Sequence, residues 1–132
     1  MRTTSYLGLA IAGLATVAIA QPAYAAEFKP YSDAAFAAAQ KEGRSILIDV
    51  YAPWCTVCAR QQPLIESAAK DPANKDLIIF KLDFDKQKAE QRQFRVTKQS
   101  TLIAFDGKRE TGRLLGSTDA KSIASLLAST RG

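Results

Sequence analysis

Residues 45–58 read Ser45-Ile46-Leu47-Ile48-Asp49-Val50-Tyr51-Ala52-Pro53-Trp54-Cys55-Thr56-Val57-Cys58. The stretch Ser45 to Tyr51 is apolar and β-branched, the pattern of a strand buried on both faces. A helix is expected from about Cys55 to Lys70, bent at Pro63 because proline cannot donate a backbone hydrogen bond there. Two thiols therefore sit where a buried strand turns into the first turn of a helix.

The alternation continues on either side. Upstream, Ser32-Asp33 followed by Ala34, Ala35 and Phe36 reads as a capped helix closed by Gly43. Downstream, Asp71-Pro72 is a stop, and Leu77 to Asp83 is a second central strand. Lys86 to Phe94 reads as a short polar helix and Thr101 to Phe105 as a third strand. Asp106-Gly107 is a hairpin signal leading into a fourth strand near Glu110 to Leu115. Thr118 is expected to cap a last helix with Ala120, Ile123, Ala124 and Leu127 on one face. The pattern specifies an α/β fold, a mixed central β-sheet flanked by helices on both faces.

The amino terminus has a different composition. Arg2 is the only charge before Glu27, Tyr6 to Ala20 is rich in Ala, Leu, Ile and Gly, and Ala23-Tyr24-Ala25 follows the break at Gln21-Pro22. A charged start, a short apolar run and an Ala-x-Ala end mark residues 1–25 as a secretory signal peptide. The competing reading, an uncleaved anchor, asks a short, Ala- and Gly-rich run to cross a hydrocarbon core of about 30 Å. Residues 26–132 then form a single exported domain.

Composition narrows the chemistry. The chain has 132 residues, 47% of them hydrophobic and 23% charged, with two Cys and no His. Without histidine there is no imidazole-based zinc site, no Ser-His-Asp or Cys-His nucleophile, and no haem or copper site built on an imidazole. The net charge of +5 comes from Lys and Arg scattered along the chain. That scatter is a solvated surface rather than a nucleic-acid footprint.

The helix amino terminus offers unpaired N–H groups and the positive end of the helix dipole, which favour a thiolate at Cys55, the outer thiol. Cys58, one turn further in, is expected to be the more buried. In disulfide exchange Cys55 would attack a partner disulfide, and Cys58 would then attack Cys55 to release the reduced partner. Two other readings compete. A structural disulfide closing so short a loop would contribute about 2 kcal/mol, and a metal would find only two soft ligands per chain.

From Ser45 onward the chain resembles the thioredoxin superfamily. The resemblance is carried by Ile46 to Cys58 with Trp54 before the first cysteine, by Pro63 five residues after the second, by Lys81-Leu-Asp-Phe-Asp, by Thr101-Leu-Ile-Ala-Phe-Asp-Gly, and by the Gly112 and Gly116 region. It implies a thioredoxin-like fold and a thiol:disulfide oxidoreductase using Cys55 as nucleophile and Cys58 as resolving thiol. Asp49 would be the proton relay, with Lys81 near it. Burial should raise the Asp49 pKa and the Lys81 ammonium should lower it, in opposition. Trp54, Ser100 and Thr101 would contact substrate, and Pro63 would support the helix.

Two departures from that family stand out. Ser100 occupies the place of a proline that is cis in thioredoxins, in a loop that pairs its backbone with substrate. A cis bond before serine would cost about 2.5–4 kcal/mol, so a trans or strained loop is expected. Thr56-Val57 replaces Gly-Pro between the cysteines, and no histidine assists the thiolate as in strong periplasmic oxidases. Tyr51-Ala-Pro-Trp-Cys is also similar to the periplasmic thioredoxin-like domain of a membrane electron transporter. The expectation is a monomeric periplasmic reductase of protein disulfides, with no metal and no cofactor beyond the Cys55–Cys58 pair. Its electrons would come from a membrane thiol donor. An oxidase or isomerase using the same residues, or a non-catalytic binding module, are the alternatives.

Overall fold

A computed structural model describes residues 25–132. The expected signal peptide, residues 1–25, lies outside the described residues except for Ala25. Among the described residues no helix is long and apolar enough to cross a membrane.

The elements in chain order are β1 (Glu27–Pro30), α1 (Asp33–Lys41), β2 (Ser45–Tyr51), α2 (Thr56–Ala69), a 3-10 turn (Pro72–Asn74), β3 (Leu77–Asp83), α3 (Lys88–Gln93), β4 (Thr101–Asp106), β5 (Arg109–Leu115) and α4 (Ala120–Ala128). The five strands form one sheet in the order β1-β3-β2-β4-β5. β1, β3 and β2 run parallel, whereas β4 is antiparallel to both β2 and β5. β2 is central, which is why Ile46 to Val50 are all buried.

Alternation along the strands sorts the core into two layers. Ile46, Ile48 and Val50 face one side, with Phe36 of α1, Phe80 and Phe94. Leu47, Ile79 and Leu102 face the other, with Ile65 of α2 and Leu127 of α4. Asp49 and Lys81 share the parity of Leu47 and Ile79, so both belong to the layer covered by α2. Because β4 opposes β2, the end of β2, the start of β4 and the end of β5 meet at one edge of the sheet, and the cysteines follow at that edge.

Local expectations met the structure unevenly. Ser32 caps α1 through a bond from the Ala35 amide (3.2 Å), and Gly43 takes φ +67° just beyond the helix. Gly107, at φ +57°, is the first residue of the two-residue turn between Asp106 and Arg109, where that backbone favours glycine. The cap of α4 is Asp119 rather than Thr118, its carboxylate accepting from the Ser122 amide at 2.8 Å. The buried face of α4 is Ile123, Leu126 and Leu127, and the expected Ala124 is exposed. The larger apolar side chains take the sheet, and α4 is rotated accordingly. β1 is an additional strand: Glu27-Phe28-Lys29-Pro30 is too short for its periodicity to mark it and becomes a strand by pairing with the open edge of β3.

Candidate active site

β2 ends at Tyr51, and Ala52-Pro53-Trp54 turns the chain into α2, the Cys55 amide donating back to the Ala52 carbonyl at 3.1 Å. Cys55 is the N-cap of α2, and its sulfur accepts from the Cys58 amide at 3.1 Å. Cys55 and Cys58 are joined as a disulfide, with Cα atoms 5.3 Å apart. No acidic residue occupies the first turn of α2, so no carboxylate competes for the positive end of the helix. Negative charge on Cys55 is thus met by an aimed amide and the helix dipole together.

The relative burial of the two thiols reverses the expectation. Cys55 is 5% exposed and Cys58 is half-buried. As N-cap, Cys55 turns its sulfur back over the first helical turn instead of outward. Cys58 Sγ lies 3.9 Å from the Val50 carbonyl. Trp54 is 59% exposed, so it is a surface aromatic and not a core one. Its indole N–H donates to Asp85 Oδ2 at 2.9 Å, and its ring meets Phe84 edge-on.

Asp49, the residue before Val50 in β2, is 2% exposed. Lys81 Nζ donates to Asp49 Oδ2 at 2.6 Å and to Gln62 Oε1 at 2.5 Å, and it lies over the Tyr51 ring. Burial nevertheless holds the Asp49 carboxyl above its ordinary value, with the Lys81 charge and hydrogen bond acting in the opposite sense. The opposition left open by the sequence is therefore decided in favour of desolvation.

Ser100 is reached through a loop containing no cis peptide, as are all the described residues, and it adopts φ +60°. Its N–H donates to the Val50 carbonyl at 2.8 Å, a bond that proline cannot make. Its hydroxyl donates to the Gln99 carbonyl, and Thr101 Oγ1 donates to the Lys98 carbonyl. Both side chains are buried, so the outward surface of this loop is its backbone and its neighbours. The Val50 carbonyl thus accepts from Ser100 and lies close to Cys58 Sγ. Pro63 lies in the interior of α2. The exposed Ala59, four residues earlier, carries the carbonyl that Pro63 cannot pair.

Three residues of this region escaped the sequence reading. Asp85 anchors Trp54, Gln62 shares Lys81 with Asp49, and Gln61 is a fully buried amide bonded to the Ser100 and Ser117 carbonyls. Gln61 carried a usable signal. With Ile65 and Ala69 it falls at four-residue spacing on the buried stripe of α2, an amide where an apolar side chain is the norm. Among the described residues, no three His, Cys, Asp or Glu side chains converge in a way that could hold a metal ion.

A family model described as Thioredoxin matches residues 27–129. The thioredoxin of Mycobacterium tuberculosis is 35% identical over 97 residues, spanning 73% of this chain and 80% of that protein. The bifunctional thioredoxin reductase/thioredoxin of Mycobacterium leprae is 34% identical over 92 residues, 70% of this chain but only 19% of that protein. Among solved structures, Trxlp from Edwardsiella tarda is 46% identical with a TM-score of 0.75, covering 76% of this chain and 98% of the other.

Proposed function

This chain belongs to the thioredoxin family of thiol:disulfide oxidoreductases, and from that premise we propose that it reduces protein disulfides outside the cytoplasm. The observation that carries the exchange chemistry is Cys55 at the N-cap of α2 with the Cys58 amide aimed at its sulfur. In the reduced protein the Cys55 thiolate attacks one sulfur of a substrate disulfide. An S–S bond forms between Cys55 and the substrate, and the other substrate sulfur leaves as a thiolate. Cys58 then gives its proton to Asp49 and attacks Cys55 Sγ. The Cys55–Cys58 disulfide forms, the second substrate thiolate departs, and two electrons have moved from the protein to the substrate. Asp49 suits the acceptor role because burial raises its affinity for a proton.

The reducing direction is supported by the absence of any histidine to stabilise the Cys55 thiolate further. Export is supported by the Ala-x-Ala end of the apolar leader at Ala23-Tyr24-Ala25. The cycle closes when a membrane dithiol attacks the Cys55–Cys58 disulfide and returns two electrons.

Equilibration with thiol buffers tests the direction. A potential near the thioredoxin value of about −270 mV is expected, and one near the about −120 mV of a strong oxidant would make this protein an oxidase or isomerase. A Cys58→Ser variant, expressed with its leader, should accumulate mixed disulfides through Cys55 with extracytoplasmic proteins. A variant that binds a partner with no such adduct would leave a binding module.

A further inference from the structure

Gln61 follows Cys58 by three residues in α2 and has no exposed surface. Its Nε2 donates to the Ser117 carbonyl at 2.8 Å and to the Ser100 carbonyl at 3.2 Å. Both partners are acceptors, which fixes the orientation of the amide. Gln61 Oε1 is consequently buried with no hydrogen-bond partner. A methionine or leucine would fill the same stripe of α2 without burying an unpaired side-chain oxygen. An unpaired polar atom that persists in a core points to a requirement for the other half of its group.

The two carbonyls belong to separate loops at the thiol edge of the sheet. Ser100 is held at φ +60°, a conformation a serine keeps only where its surroundings impose it. Its N–H is bonded to Val50, while its carbonyl accepts from the Gly116 amide at 2.9 Å as well as from Gln61. Gly116 itself takes φ +67°. Of these contacts, the Gln61 amide is the one that fastens both loops to the helix carrying the cysteines.

We infer that Gln61 is a positioning residue for substrate recognition, latching the 97–100 and 116–119 loops to the cysteine helix so that a fixed backbone edge stands beside the thiols for an extended, disulfide-bearing peptide. The inference rests on the exchange reaction proposed above and names what aligns its substrate. The hydrogen bonds of Gln61 go to loop carbonyls and not to a sulfur. Its loss should therefore change protein substrates and spare small ones.

The test is Gln61→Met, close in length and without a donor, studied in the full domain. With insulin as the disulfide substrate, KM is expected to rise about tenfold, while kcat, the Cys55–Cys58 potential and the rate with glutathione disulfide stay within about twofold. Amide exchange at Ser100 and Gly116 should accelerate about tenfold while Ile48 and Ile103 in the core keep their protection. Equal losses with insulin and glutathione disulfide, or unchanged KM despite faster loop exchange, would overturn the inference. Unchanged exchange at Ser100 and Gly116 would overturn the latch itself. A wild-type protein inert toward insulin would instead sink the function proposed above, with the exchange measurement still reporting on the latch. Should Gln61→Met fail to fold, Gln61→Glu keeps the shape and loses at least one of the two donated bonds, and the same pattern is expected.

Discussion

Lys81 Nζ lies 2.6 Å from Asp49 Oδ2, yet the carboxyl keeps a proton affinity above its ordinary value. The two partners are unequally placed: the Asp49 side chain is 3% exposed and that of Lys81 25%. The ammonium is partly hydrated and divides its donors between Asp49 and Gln62, so it compensates the buried carboxylate incompletely. The outcome is a buried carboxyl whose ionisation is displaced upward.

Asp49→Asn is expected to slow the resolving step about tenfold to hundredfold, the scale of one positioned general base. The rate should also lose the rise with pH that Asp49 ionisation supplies. Stopped-flow release of substrate from the Cys55 mixed disulfide checks both. Stability has the opposite sign. A carboxyl with a raised folded-state pKa favours the fold fully below its unfolded value, near 3.8, and that contribution is lost as pH rises through the folded value. Urea unfolding of the oxidised proteins should therefore show Asp49→Asn gaining on the wild type across that window.

Gln62→Glu would place a second carboxylate on the Lys81 ammonium, weakening its hold on Asp49. The Asp49-dependent limb of the exchange profile should move to higher pH, with the fold retained because Gln62 is only half-buried and the lost bond to the exposed Glu66 is a surface one. A limb displaced to lower pH would show that Gln62 does not compete for Lys81.

At position 100 the backbone predicts an inversion of family preference. Ser100→Pro loses the bond to Val50 and forces φ away from +60°, so it should destabilise by more than about 1 kcal/mol. Ser100→Gly keeps the N–H and suits the positive φ, and should stay within about 1 kcal/mol of wild type. Thermal unfolding of the two variants side by side decides the point.

Trp54 is the single tryptophan, and its anchor is the bond to Asp85. Asp85→Ala should change stability by less than about 1.5 kcal/mol, as for one hydrogen bond at an exposed site. Indole fluorescence anisotropy should fall as the ring gains freedom. Unchanged anisotropy would mean that the edge contact with Phe84 holds the ring without Asp85.

Much of this molecule is legible in one dimension. β2 and β3 occupy the residues that the apolar runs at Ser45–Tyr51 and Leu77–Asp83 indicate, and α2 lies where Cys55 and Lys70 were read as its ends. The thiol pair was likewise visible, because its position depends on a strand, a turn and a helix start within one continuous segment. Asp49, Lys81 and Trp54 were legible as candidates through the resemblance; the structure pairs Lys81 with Asp49 and ties Trp54, the neighbour of Cys55 in the chain, to Asp85.

Elsewhere the local pattern ran out. β1 exists because β3 has an open edge, and Asp119 displaced Thr118 as a cap because its carboxylate reached the Ser122 amide. Cys55 became the more enclosed thiol through the direction of one side chain at a helix cap. Whether burial or Lys81 governs Asp49 depended on the exposure of two groups 32 residues apart. The meeting of Gln61 with Ser100, 39 residues on, was likewise a matter of distances across a packed sheet. Periodicity, turn chemistry and caps act over a few residues and are written into neighbouring side chains. Desolvation and long-range hydrogen bonds depend on what the assembled core brings together, and these set the proton affinity and the loop geometry around the thiols.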